Sequence, residues 1–144
     1  MPITFQNADI KFLLSQNNKL KAFITAQVMK ASKKKINISY VFCSDDYLLD
    51  INKKFLKHDY YTDIITFPLS ESDDLIEAEI YISIDRVKDN AQQLKADFTD
   101  ELLRVVFHGI LHLVGFKDKS KTDKATMRKK EDQWIAAYHK SKPI

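Results

Sequence analysis

The sequence predicts one α+β domain, a mixed sheet of about four strands covered by helices, with one helix buried at its centre. Three observations predict it. Two segments, 36–42 and 78–85, alternate apolar and polar residues at the period of a half-buried strand. Around them run stretches whose apolar residues recur three and four positions apart, as on the inner face of an amphipathic helix. The third is segment 102–114. Leu102, Leu103, Val105, Val106, Phe107, Ile110, Leu111, Leu113 and Val114 leave it almost no polar face, and a helix apolar nearly all round belongs inside a fold. The 144 residues, 44% hydrophobic, suit a single domain over 1–144 with a real core. There are no repeats or low-complexity tracts.

Taken in order, residues 3–5 read as a short first strand. Leu20, Phe23, Ile24 and Val28, with Ala31 behind, predict a first helix over about 15–33. Ile36, Ile38, Tyr40 and Phe42 alternate with Asn37, Ser39 and Val41, giving a strand with one face on the core. Ser44 and Asp45 are N-cap types, and Tyr47, Leu48, Ile51 and Phe55 mark one face of a second helix. Residues 69–75, with Ser70, Ser72, Asp73 and Asp74, read as a mobile loop. Ala78, Ile80, Ile82 and Ile84 alternate with Glu79, Tyr81, Ser83 and Asp85 in a second clear strand. Val87, Ala91 and Leu94 make a third helix with Asp85 as its cap, and Thr99, Asp100 and Glu101 open the buried helix with a cap residue and first-turn acids. Ser120 and Asp123 resemble a capping box. Met127, Trp134, Ile135 and Tyr138 then give the last helix its packing side, while Lys124, Arg128, Lys129 and Lys130 face outward.

The chemistry lies on the buried helix. Its polar side chains, Glu101, Arg104, His108 and His112, follow one another at three- and four-residue steps and form one narrow stripe. His108 and His112 are one turn apart, with about 6 Å between their β-carbons, close enough to share one ion. The chain has two glycines, Gly109 and Gly115, and both fall here. Gly115 ends the helix in the manner of a residue at C′ and turns the chain back, bringing Asp118 near enough to be a third ligand. The pattern H-x3-H-x2-G-x2-D has the ligand spacing of the metzincin peptidases, with aspartate third. Those peptidases carry a glutamate general base after the first histidine. Gly109 stands there in this chain, which argues against peptide hydrolysis by that route. Three protein ligands leave an open fourth position, as in catalytic zinc sites. One zinc ion is the expected cofactor, though the hard aspartate oxygen admits other divalent metals. A two-histidine, one-carboxylate set also serves non-haem iron oxygenases, a minor alternative.

Residues 107–118 resemble the signature of the YbeY endoribonuclease family, H-G-x-L-H-L-x-G-[YF]-D-H, matched by His108, Gly109, Leu111, His112, Leu113, Gly115 and Phe116. Lys117 stands where the family usually has aspartate, and Asp118 where it has the third histidine. Segment 51–67 resembles a second family pattern, L-N-x-x-[YF]-R-x-x-D-x-x-T-D-V-L-S-F, at Asn52, Phe55, Asp59, Thr62, Asp63 and Phe67. Leu56 replaces the arginine that the family is thought to need for cleavage, and leucine offers no positive charge to a developing oxyanion. Lys57 and His58 are the neighbours that can reach the same space. In Ala78-Glu79-Ile80 the family's G-D-[IL] keeps its acid, which also suits the wet face of a strand. The resemblance implies a single-strand-specific, metal-dependent endoribonuclease acting in ribosomal RNA maturation, including the 3′ end of the small-subunit RNA, and in ribosome quality control. It places the metal on His108, His112 and Asp118, and the basic residues flanking the two matched segments, Lys57, His58, Lys117 and Lys119, are the candidate RNA-binding residues of this chain. The residue that moves the proton is left open.

Composition sets the remaining bounds. Net charge is only +3, concentrated at Lys33–Lys35, at Lys53, Lys54, Lys57 and His58, and over 117–130, which supports RNA binding weakly. The single Cys43 precludes an internal disulfide and fits a reducing cytoplasm. No signal peptide is visible at 1–5, and the apolar run 102–116 is too short and too polar in places for a bilayer span, so the expectation is no membrane association. Expected partners are single-stranded or ribosomal RNA and small-subunit ribosomal proteins, not DNA. Two rival functions stand beside the nuclease: a hydrolase of another substrate, peptide included, and a ribosome-assembly factor whose metal is structural. Leu56 favours the second.

Overall fold

The computed structural model describes residues 2–142. Along the chain come β1 (Ile3–Asn7), α1 (Asn17–Ser32), β2 (Lys35–Cys43), α2 (Asp45–Ile51) with a π turn over Asn52–Leu56, β3 (Ile64–Glu71), β4 (Leu75–Ser83), α3 (Ile84–Leu94), α4 (Phe98–Leu113) and α5 (Lys121–Lys140). The two alternating segments become neighbours: β2 and β4 pair in parallel, Ile38 opposite Ala78 and Phe42 opposite Ile82. β1 adds in parallel outside β2, and β3 pairs antiparallel outside β4, so the mixed sheet of four strands runs β1-β2-β4-β3.

Alternation decides which face is covered. Ile36, Ile38, Tyr40 and Phe42 of β2 and Ile76, Ala78, Ile80 and Ile82 of β4 point to one side, where they meet α1, α4 and α5. Phe107 at the middle of α4 contacts Phe23 of α1 and Trp134 of α5, both ring centroids 5.5 Å away. The Tyr40 hydroxyl, fully buried, donates to the Val106 carbonyl at 3.0 Å and fixes α4 against the sheet. The other face carries Ser39, Glu77 and Glu79, so Glu79 lies away from α4. A small second cluster of Cys43, Leu48 and Ile65 closes one end. Burial pushes the Cys43 thiol up to about 12, which leaves it inert as a nucleophile.

The structure departs from expectation at four elements, each for a local reason. The second helix keeps its predicted face at Leu48 and Ile51 but not at its ends: Tyr47 is 38% and Phe55 67% exposed, while Asn52 is buried. Asn52 follows buried Leu48 by one regular turn on the same face, its side-chain amide donating to the Tyr60 carbonyl at 2.9 Å, and the π turn that begins there widens the winding ahead of Phe55. The predicted loop 69–75 is mostly strand. β3 continues through a bulge between Pro68 and Ser70, and only 72–74 turn, with Ser72 Oγ accepting from the Leu75 amide at 3.1 Å. The caps also shift. Ser83 caps α3 in place of Asp85, its hydroxyl accepting from the Arg86 amide and donating to Asp45. Asp97 caps α4 in place of Thr99, which lies inside the helix.

Gly109 shows why the peptidase glutamate has no room. A β-carbon there would lie 3.0 Å from Ile64 Cδ1 and 3.1 Å from Ile80 Cδ1, so this side of α4 is packed on the sheet. Gly109→Glu is therefore expected to destabilise the fold by at least about 3 kcal/mol, through overpacking and a buried charge, without creating peptidase activity. Thermal denaturation followed by circular dichroism checks it, and a melting temperature equal to that of the parent protein would refute it.

Candidate active site

The polar stripe of α4 faces α5, and a buried glutamate of α5 organises it. Glu131 is 4% exposed. It accepts from Arg104 Nη1 at 3.0 Å, and its other oxygen lies 2.7 Å from His108 Nδ1. A second Arg104 nitrogen donates to Asp132 at 2.6 Å. An ionised carboxylate only accepts, so Glu131 holds the proton of His108 on Nδ1. The other ring nitrogen, Nε2, then faces the carboxylate of Asp118 at 3.2 Å. The Glu131 hydrogen bond, with the nearby charges of Glu131, Asp118 and Asp63, raises the pKa of His108 despite burial.

Asp118 is delivered by the turn after α4. Gly115, at φ +115°, lets the Phe116 amide reach back to the Leu111 carbonyl (3.0 Å) and its own amide to the His112 carbonyl (3.1 Å), the paired bonds of a Schellman ending. The Ser120–Asp123 capping box starts α5 at once. Asp118 is thus held between two helix ends.

Side by side, His108, His112 and Asp118 line one cleft of about 500 Å³. His108 and Asp118 are in contact, while the exposed His112 stands one turn further along α4. Among the described residues, no three His, Cys, Asp or Glu side chains are already closed around one point. The donor set nevertheless fits a divalent ion. His108 presents Nε2 beside a carboxylate, its Nδ1 is tied to a second carboxylate as in metal sites whose histidines are oriented from behind, and the cleft leaves one side open.

Asp63, one of the matches to the second family pattern, proves to belong to the cleft. It lines both the main cleft and an adjoining cavity of about 420 Å³ that shares His108 and Asp118. The Asn90 amide donates to its carboxylate at 3.3 Å, and the Ser83 amide to its carbonyl at 2.9 Å. Burial raises its pKa, against the opposing pull of His108. A carboxyl whose folded pKa exceeds its unfolded one makes the fold less stable as pH rises between the two values. Asp63→Asn is therefore expected to raise the melting temperature at pH 7, by an amount that shrinks on acidification and is gone below the unfolded carboxyl pKa of about 3.9. Melting curves of both proteins from pH 3 to 7 check it, and a constant difference would contradict the linkage.

Of the other candidates, His58 and Leu56 line the cleft. Lys57, at φ +58°, ends the π turn and is exposed outside the lining, and Lys117 and Lys119 are exposed on either side of Asp118. Sequence reasoning missed Glu131, Asn90 and Tyr60. The signal for Glu131 was present: it stands four residues after Met127 and three before Trp134, an acid on the packing side of α5.

Residues 3–139 match the family model described as endoribonuclease YbeY. The chain is 48% identical over 130 residues to the endoribonuclease YbeY of Cytophaga hutchinsonii, covering 90% of this chain and 91% of that protein. It is 41% identical over 133 residues to the endoribonuclease YbeY of Flavobacterium psychrophilum, covering 92% and 94%. Among solved structures, the solution structure of TM1509 from Thermotoga maritima aligns with a TM-score of 0.57 at 27% identity, covering 94% of this chain and 88% of that one.

Proposed function

The chain belongs to the YbeY endoribonuclease family, and on that footing we propose that it cleaves single-stranded ribosomal RNA in a zinc-dependent reaction during maturation of the small subunit and in ribosome quality control. The observation that carries the reading is His108, clamped between Glu131 and Asp118 on a cleft that His112 also lines. A divalent ion on His108, His112 and Asp118 would supply positive charge to the phosphodiester and activate water. The protein's own residues do the rest. Glu131 keeps the His108 tautomer with Nε2 turned to the cleft. Asp63, holding its proton more tightly than an ordinary carboxyl, is the group placed to exchange one with the leaving oxygen. Tight α4–sheet packing at Gly109 keeps the two histidines in register.

Zinc suits the set best, and the aspartate keeps other divalent ions possible. The absence of any helix among the described residues long and apolar enough to cross a membrane is compatible with work on cytoplasmic ribosomes. One observation favours a second reading. Leu56 lines the cleft where the family pattern has arginine, as expected of an assembly factor that binds RNA or small-subunit proteins and has given up cleavage. Purified protein incubated with a structured ribosomal RNA fragment separates the two. Cuts confined to unpaired segments, lost on chelation and restored by zinc, are the expected result. Binding that persists with no cleavage under any metal supports the assembly factor.

A further inference from the structure

Opposite α4, the cleft is walled by the chain between the π turn and β3, where an aliphatic and aromatic patch stands beside the polar Thr62 and Asp63. Leu56, His58 and Tyr60 line it. The His58 ring stacks on the Tyr60 ring with centroids 5.2 Å apart and planes 20° from parallel, and Tyr60 Oη lies 2.9 Å from His58 Nδ1. Tyr60 is 57% and Leu56 42% exposed, so both present open surface to the cleft. The backbone beneath them is fixed. The buried Asn52 amide donates to the Tyr60 carbonyl at 2.9 Å, and the His58 amide donates to the Asn52 carbonyl at 3.1 Å. Lys54 and Lys57 stand exposed on the same turn.

The geometry points to a nucleobase subsite: one unpaired base of a single-stranded RNA lies on the Leu56–Tyr60 surface while the adjoining phosphate faces His108 and Asp118. This rests on the endoribonuclease reading and deepens it. A pre-set aromatic plane with an aliphatic neighbour binds the face of any base, and it does so only when that base has left its stack. Cations on the rim of the wall, in place of one inside it, suit a strand whose phosphates run past the wall while its base turns in. Leucine at 56 thus converts a surface for phosphate charge into one for base contact. Selection of unpaired RNA follows from the wall itself.

The test uses metal-stripped protein, so that nothing is cut, and a short single-stranded RNA carrying 2-aminopurine. Wild-type protein is expected to quench the fluorescence on binding. Tyr60→Phe should keep the quench, and Tyr60→Ala should lose it and bind roughly 5- to 100-fold more weakly, with duplex binding unchanged. Melting curves of both variants confirm that the fold is kept. If Tyr60→Ala binds and quenches as the parent does, the subsite is overturned and the nuclease reading stands. Equal losses in Tyr60→Phe and Tyr60→Ala overturn stacking in favour of the hydroxyl bond to His58. If the parent binds no RNA either stripped or with zinc restored, both readings fall.

Discussion

His112→Ala is expected to lower the rate of RNA cleavage by about 10³-fold or more, an effect of about 4 kcal/mol on the transition state, while the melting temperature moves by no more than about 2 °C. The separation of the two effects comes from exposure. His112 is exposed, none of its ring atoms takes part in a hydrogen bond within the described residues, and it faces the cleft, so its removal opens no cavity and strands no partner. His108→Ala would abolish activity as well, but it also removes the partner of buried Glu131, so loss of fold would be mixed with loss of chemistry. Gel-resolved cleavage of a ribosomal RNA fragment beside thermal denaturation gives both readouts. Retained cleavage in His112→Ala would exclude this histidine from the site.

The second large effect is expected at Glu131. Glu131→Ala strips a buried acceptor from both Arg104 and His108, and breaking a buried ion pair by removing one partner costs about 3–5 kcal/mol. For a domain of this size that is a fall in melting temperature on the order of 10 °C. Glu131→Gln, which keeps the shape and one acceptor, should be milder for the fold. It should still weaken zinc about 10- to 100-fold, because a neutral amide no longer sets the histidine's tautomer firmly. Competition with a fluorescent zinc chelator measures that loss directly. Equal zinc affinity in Glu131→Gln and the parent would reduce Glu131 to a structural role.

Much of this could be read before any coordinates. Periodicity identified β2, β4, α1, α4 and α5 because each has one face whose burial is its main stabilisation, and such faces leave a regular trace. His108, His112 and Asp118 stood out because chemistry at a helix end needs those residue types at that spacing. Illegible features depend on partners distant in sequence. The β3 segment around Ser70 is polar and turn-like, and only pairing with β4 makes it strand. Phe55 is left exposed in a π turn over Asn52–Leu56, which no residue type announces. Asp63 becomes a cleft residue only when α3 and α4 close over it.

That π turn carries an evolutionary consequence. The placement of the aromatic wall depends on one surplus backbone unit between residues 52 and 56, and on no particular side chain there beyond Asn52. Deleting a single codon in that stretch would restore ordinary α winding, rotate the following segment by about 100°, and pull the rings back from the histidines that line the cleft. Two descendants with every aligned cleft residue in common could therefore differ in which RNAs they accept through an indel alone.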